Sequence, residues 1–172
     1  MIRLEPMPEA LVPDFVQRSV ASFAQDQVRA GNWARPEVDQ KAEALLADLL
    51  PDGLNTEGHA FLQIVEEQTG QPVGTLWFSE REGGQGKVGF VCDLRVDEPQ
   101  RGRGYGKAAM LGLERKAAAM GLGLICLNVF AENRIARNLY EGLGYQVMQT
   151  HSSPDGERVS GFLLAKAIEA ET

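Results

Sequence analysis

The sequence predicts an α/β fold on a mixed sheet, and three observations carry that prediction. Hydrophobic residues are 44% and charged residues 24% of the 172-residue chain, the balance of a globular protein with one sizeable core. Apolar residues recur at helical spacing in the first fifty positions, then give way to short runs rich in bulky side chains. Nineteen glycines punctuate the chain, and twelve of them fall between Gly83 and Gly144, where strand and helix patterns alternate. Residues 1–172 are expected to form a single domain.

Each element has its own signal. A short strand is predicted at Ile2–Glu5. Pro13 suits the start of a helix, because at the first helical position its missing N–H costs nothing. Val16, Val20, Phe23, Ala24 and Val28 then repeat at helical spacing until Gly31 stops the run. Glu37–Leu50 reads as a second helix, with Val38, Ala42, Leu45, Leu46 and Leu49 on one face. Strands follow at Ala60–Glu66, Val73–Ser79 and Lys87–Val96, divided by turns at Thr69–Pro72 and Gly83–Gly86. Lys107–Met120 is a helix closed by Gly121, and Leu124–Phe130 a buried strand. Asn133–Leu143 is a short helix stopped by Gly142 and Gly144. A hairpin of Gln146–His151 and Arg158–Lys166 ends the pattern.

Composition narrows the function. No apolar run approaches the roughly 20 residues of a membrane helix, and Met1–Pro6 lacks the apolar core of a secretory signal. A cytoplasmic protein with no membrane partner is the expectation. Cys92 and Cys126 sit among apolar neighbours and read as reduced and buried, so neither a disulfide framework nor a metal site is expected. A net charge of −7 argues against a nucleic-acid partner. The charge is uneven. Residues 1–86 hold 6 basic against 14 acidic side chains, whereas Arg95–Arg137 holds eight bases against four acids. A local positive zone on an acidic chain suits a small polyanion.

The most informative stretch is Val96-Asp-Glu-Pro-Gln-Arg101-Gly-Arg-Gly104-Tyr-Gly106-Lys107, between a predicted strand and a predicted helix. The first turn of a helix offers unpaired N–H groups and the positive end of its dipole. Alternating glycines let the backbone approach a phosphate closely. Two familiar phosphate loops do not fit. In a P-loop alignment Ala108 replaces the hydroxyl and Arg101 takes the first glycine position. The dinucleotide fingerprint needs Gly-x-Gly-x-x-Gly, and here the spacing is Gly-x-Gly-x-Gly.

Arg101-Gly-Arg-Gly104-Tyr-Gly106 resembles instead the acetyl-CoA loop of the GNAT superfamily of N-acyltransferases, with signature Arg/Gln-x-x-Gly-x-Gly/Ala. A second segment, from Asn133 through Ala136, Leu139 and Tyr140 to Gly144-Tyr145, resembles the signature that closes the cofactor site in that superfamily. The run Asp26–Trp33 is similar to that of a bacterial branch. The resemblance implies a mixed, mostly antiparallel central sheet flanked by about four helices. It also implies an enzyme that moves an acetyl group from acetyl-CoA to a primary amine, small molecule or peptide, by direct attack and without a metal. A homodimer is left open.

The same resemblance distributes roles. Backbone amides from Arg101 through Gly102, Arg103, Gly104, Tyr105 and Gly106 to Lys107 would hold the pyrophosphate, with charge-assisted help from Arg101, Arg103 or Lys107. A bulge in the preceding strand would free backbone groups near Leu94, Arg95 and Val96 for the pantetheine arm. Asn133 and Ala136 would contact the cofactor, although Asn133 also suits a helix N-cap, and the two roles are compatible. Tyr140 is the candidate general acid for the departing thiolate, and Tyr105 a packing residue. Phe90 stands where the superfamily often has a glutamate base. Asp93 is the nearest carboxylate, with Glu66, Glu67 and water as alternatives. That departure keeps a non-catalytic acyl-CoA-binding module as the alternative. His59 and His151 read as surface or packing residues. The acidic N-terminal half leads us to expect an acidic rim around the acceptor and a cationic amine.

Overall fold

The computed structural model describes residues 1–169. In chain order the elements are β1 (Ile2–Pro6), α1 (Val12–Arg29), α2 (Val38–Leu49), β2 (His59–Glu66), β3 (Pro72–Gly83), β4 (Gly86–Val96), α3 (Tyr105–Ala119), β5 (Leu124–Phe130), α4 (Arg134–Gly142), β6 (Gln146–Ser152) and β7 (Val159–Ala167). The seven strands form one sheet in the order β1-β2-β3-β4-β5-β7-β6. Every neighbouring pair is antiparallel except β4 and β5.

Two apolar layers hold helices on opposite faces. On one face Ile64, Leu76, Phe78, Val91, Ile125, Leu127 and Leu164 pack against Ala109, Met110, Leu113 and Ala117 of α3 and Tyr140 of α4. On the other, Phe15, Val16 and Val20 of α1 pack on Trp77 with Leu50 at the end of α2. Fully burying one such side chain contributes on the order of 1.5–3 kcal/mol, so these layers fix the sheet between its helices.

Every boundary but the end of β3 falls within two residues of the sequence expectation, and the shifts have physical causes. Helix α3 begins at Tyr105 rather than Lys107, because Gly104 caps it in the left-handed conformation at φ +82°. Strands β3 and β4 run further than expected, leaving Gly84 and Gln85 as the turn between them. Strand β5 is buried on one face only. Ile125, Leu127 and Val129 are buried, but Asn128 is exposed and Cys126 half-buried, because α3 covers one side.

The site is prepared by the β4–β5 pair. They are hydrogen-bonded only where Gly89–Val91 meets Ile125–Leu127, so beyond these residues the two parallel strands part. In the same place β4 carries an irregularity against β3. Trp77 pairs with Asp93 and Phe78 with Val91, leaving Cys92 as an extra residue. The bulge changes which face the strand presents. Val91 belongs to the α3 layer, and strict alternation would put Asp93 there too. Cys92 adds one step, so Asp93 shares the face of Trp77 and meets α1.

Candidate active site

At the C-terminal end of β4 the chain turns through Glu98–Gln100 and enters α3. Arg101 uses its N–H on the Glu98 carbonyl, and its Nε donates to the Val96 carbonyl at 3.0 Å. The next backbone N–H in the chain with a backbone acceptor is that of Ala108, bonded to Gly104 at 3.0 Å. Among the described residues, the six amides from Gly102 to Lys107 therefore have no backbone partner. Six consecutive donors at the positive end of a fifteen-residue helix suit a phosphate group. Arg101, Arg103 and Lys107 are exposed and make no ion pair among the described residues.

The three loop glycines do different work. Gly102 and Gly104 sit at φ +80° and +82°, and a Cβ on either would meet open space. They are needed for the backbone path. Gly106 has room problems instead, since its Cβ would lie 3.3 Å from Leu139 Cδ2 of α4. It lets α3 and α4 approach beside the loop, with Tyr105 packed into the core next to it.

Helix α4 supplies the second wall. Asn133 is its N-cap, and its Oδ1 accepts the Ala136 N–H at 3.2 Å. The Asn133 side chain also lines a cavity of about 300 Å³. Ala136, Leu139 and Tyr140 pack against the α3 layer of the core. Tyr140 is buried, with its ring edge-on to Tyr145 at 5.9 Å between centroids. Among the described residues, no protein atom bonds its hydroxyl and no buried side-chain oxygen lacks a partner, so the hydroxyl reaches solvent. Burial pushes the Tyr140 phenol up to about 12, and the charge of Asp93 adds to the rise. Asp93 and Tyr140, from the two candidate catalytic positions, thus lie within electrostatic reach of each other.

Asp93 is half-buried and accepts a hydrogen bond from Ser19 Oγ at 2.8 Å. Phe90 lies under the Arg81 guanidinium, 3.6 Å from its ring centroid, and Arg81 also reaches Cys92. Burial raises the Cys92 thiol, which is opposite to what a nucleophile needs. Both cysteines are free, as expected, but half-buried rather than buried. The other carboxylates that the sequence offered do not converge. Glu66 accepts from Thr69 in the β2–β3 turn, and Glu67 holds the backbone of Met1 at the far edge of the sheet. His59 accepts from Trp77 Nε1 at 2.9 Å and stacks on Phe61, and burial lowers its pKa, so it is a packing residue. His151 bonds Asn128 at 2.9 Å.

The 300 Å³ cavity lies between the C-terminal end of α1, the β5–α4 turn and the start of β7. Its charged lining is mixed rather than acidic. Asp26 and Glu132 face Arg29 and Arg158, and Asp26 is paired with Arg29 at 3.0 Å. Burial raises the Asp26 carboxyl, and both Arg95 and Asp93 act on it electrostatically. Arg158 donates to the Arg29 carbonyl at 3.0 Å and so ties β7 to α1 across the cavity. The N-terminal half contributes one acid, Asp26, and one base, Arg29, to this lining, and Arg158, distant in sequence, folds into it. Ser19, Ser22, Arg29 and Arg158 are the residues that sequence reasoning missed. The alternation of the strand without its bulge gives no sign that Asp93 faces α1.

Comparison with known proteins places this geometry. The family model for the acetyltransferase (GNAT) family matches residues 21–145. The chain is 33% identical over 147 residues to the "Uncharacterized N-acetyltransferase YycN" of Bacillus subtilis, covering 84% of this chain and 92% of that protein. It is 31% identical over 142 residues to YdgE of the same organism, covering 83% and 90%. The crystal structure of YycN superposes with a TM-score of 0.80 over 89% of this chain and 97% of that one. The spermidine N-acetyltransferase of Vibrio cholerae, solved in complex with CoA and spermine, shares the fold at 12% identity, with a TM-score of 0.67 over 97% and 95% of the two chains.

Proposed function

We infer the reaction from one premise: the chain belongs to the acetyltransferase (GNAT) family. It is accordingly an acetyl-CoA-dependent acyltransferase, and we propose that it transfers the acetyl group to a primary amine by direct attack. Residues 1–172 act as one domain in this proposal, since one sheet draws strands from Ile2–Pro6 through Val159–Ala167. The observation that carries the proposal is the parting of β4 and β5 between six unpaired loop amides and the solvent-reaching hydroxyl of Tyr140.

Gly102–Lys107 would hold the pyrophosphate through their amides, with Arg103 and Lys107 free to add charge-assisted bonds. The Arg101 amide and Nε are already engaged, so its contribution would come from its remaining guanidinium donors. The parted edge of β4 at Leu94, Arg95 and Val96, together with Asn133 and Ala136, would flank the pantetheine arm. When bound, acetyl-CoA supplies a thioester whose carbonyl carbon accepts the amine and whose sulfur leaves. Tyr140 would give its proton to that sulfur: the phenol, raised to about 12, is protonated before the step at neutral pH and regains a proton from solvent after it. Asp93 takes the proton that the amine nitrogen loses on forming the amide. The acceptor enters from the mixed-charge cavity beside α1.

Thiol release from acetyl-CoA, measured across a panel of polyamines, amino acids and peptides, tests the activity, with mass spectrometry of the acceptor. An acetylated amine is the expected product. Thiol release that is independent of every acceptor would count for a binding module instead.

A further inference from the structure

Helix α1 presents an unusual face to the sheet. Phe15, Val16, Val20 and Ala24 are buried there, as a helix packed on a sheet requires. Ser19, Ser22 and Asp26 break that face at spacings of three and four residues, so they form one polar stripe. Two of the three bond the bulged end of β4. Ser19 is buried and donates to Asp93 Oδ2 at 2.8 Å, and Ser22 accepts from Arg95 Nη2 at 2.9 Å. Asp26 feels the charges of both Asp93 and Arg95.

A buried hydroxyl that points at a carboxylate fixes that carboxylate's rotamer and occupies one of its oxygens. Asp93 Oδ1 has no protein partner among the described residues, and no buried side-chain oxygen there goes unpartnered, so Oδ1 is open to solvent. We infer that Ser19 is a positioning residue for proton removal: its hydroxyl holds Asp93 Oδ2 so that Oδ1 is aimed at the incoming amine. This inference rests on Asp93 as the base. The bulge at Cys92 makes the contact, since it turns Asp93 towards α1. Asp26 on α1, Cys92 on β4 and Tyr140 on α4 all feel the charge of Asp93; Arg29 and Arg95 act in turn on Asp26, and Arg81 on Cys92.

The test compares Ser19→Ala, Ser19→Thr and Asp93→Asn with the unaltered enzyme, using a primary amine that supports thiol release. Ser19→Ala should lower kcat roughly tenfold through loss of aim and leave KM for acetyl-CoA unchanged. Ser19→Thr, which keeps the hydroxyl, should restore kcat to within about threefold of the parent. If Asp93→Asn is nearly inactive while Ser19→Ala matches the parent in kcat, the inference is overturned and the base assignment stands. Equal losses in the Ala and Thr variants, or a loss in Ser19→Ala that falls on KM for acetyl-CoA rather than on kcat, would also overturn it, as plain packing. An Asp93→Asn enzyme as fast as the parent would remove the base assignment, and this inference with it.

Discussion

The proposed cofactor side and the proposed acceptor side of this molecule are built from different materials. On the cofactor side the proposed ligand meets backbone, with six amides in a row between Gly102 and Lys107 inside one short segment. On the acceptor side the cavity is made of side chains from three separated stretches, and its ties are long-range. Arg158 reaches Arg29 across 129 residues, and outside the cavity lining Ser19 reaches Asp93 across 74. A backbone site tolerates many side chains but few backbone paths. A side-chain site is the reverse.

The largest effect should follow from breaking the backbone path. Gly104 sits at φ +82° with open space where a Cβ would be. Gly104→Glu should abolish coenzyme A binding in calorimetry, since it strains the cap and adds a carboxylate beside the proposed phosphate site. Gly104→Ala separates the two causes. It carries the strain of about 1–2 kcal/mol without the charge, so it should bind more weakly but measurably. Undiminished affinity in Gly104→Glu would break the contrast between the two sides.

Tyr140 stands where the two sides meet, and its removal should affect chemistry rather than binding. Tyr140→Phe should lower kcat by about 10²-fold and change coenzyme A affinity by no more than a few-fold. The unaltered enzyme should show no alkaline loss of kcat below about pH 10, because burial and Asp93 hold the phenol protonated well beyond the ordinary range. A steady-state profile that falls between pH 8 and 9 would point to another donor.

The contrast also explains what the sequence made legible. The glycine loop, the Asn133 cap and the Leu139-Tyr140 pair are local patterns, and local geometry follows from them directly. The direction of Asp93 was not legible. It depends on one extra residue, Cys92: the family resemblance implies a bulge in this strand, but not which residue is inserted. The mixed charge of the acceptor cavity was hidden for a related reason. Summed charge over residues 1–86 says nothing about Arg158, which arrives from the turn before β7 and lies against Gly31, where a Cβ would collide with its guanidinium. Long-range pairings of polar side chains leave no periodicity to read.

A moderate effect should come from untying the acceptor side alone. Arg158→Ala removes the bond to the Arg29 carbonyl and the cation from the cavity wall. KM for the amine should change by roughly three- to tenfold, and coenzyme A affinity should stay within twofold. Isothermal titration with coenzyme A beside acceptor kinetics would read the two sides separately. A matching loss on both would mean that the walls are mechanically coupled.

The smallest effect concerns the residue on which Tyr140 leans. Tyr145 is buried, and its hydroxyl donates to Glu114 Oε1 at 3.2 Å, which Lys166 also holds at 2.7 Å. Tyr145→Phe should cost about 1 kcal/mol at pH 7, because one neutral donor is lost while the Lys166–Glu114 pair persists. Activity should remain within about twofold, since the phenyl ring keeps its edge contact with Tyr140. Burial, with the charge of Glu114, raises the Tyr145 phenol far above its ordinary value. A raised phenol favours the protonated folded state, so its contribution is complete below about pH 10 and fades as unfolded tyrosine ionises above that. The Phe variant lacks that ionisation, so its deficit should narrow between pH 7 and pH 10.5 in chemical denaturation. A deficit that widens over this range would mean that Tyr145 ionises in the folded protein, and that Glu114 does not hold its proton.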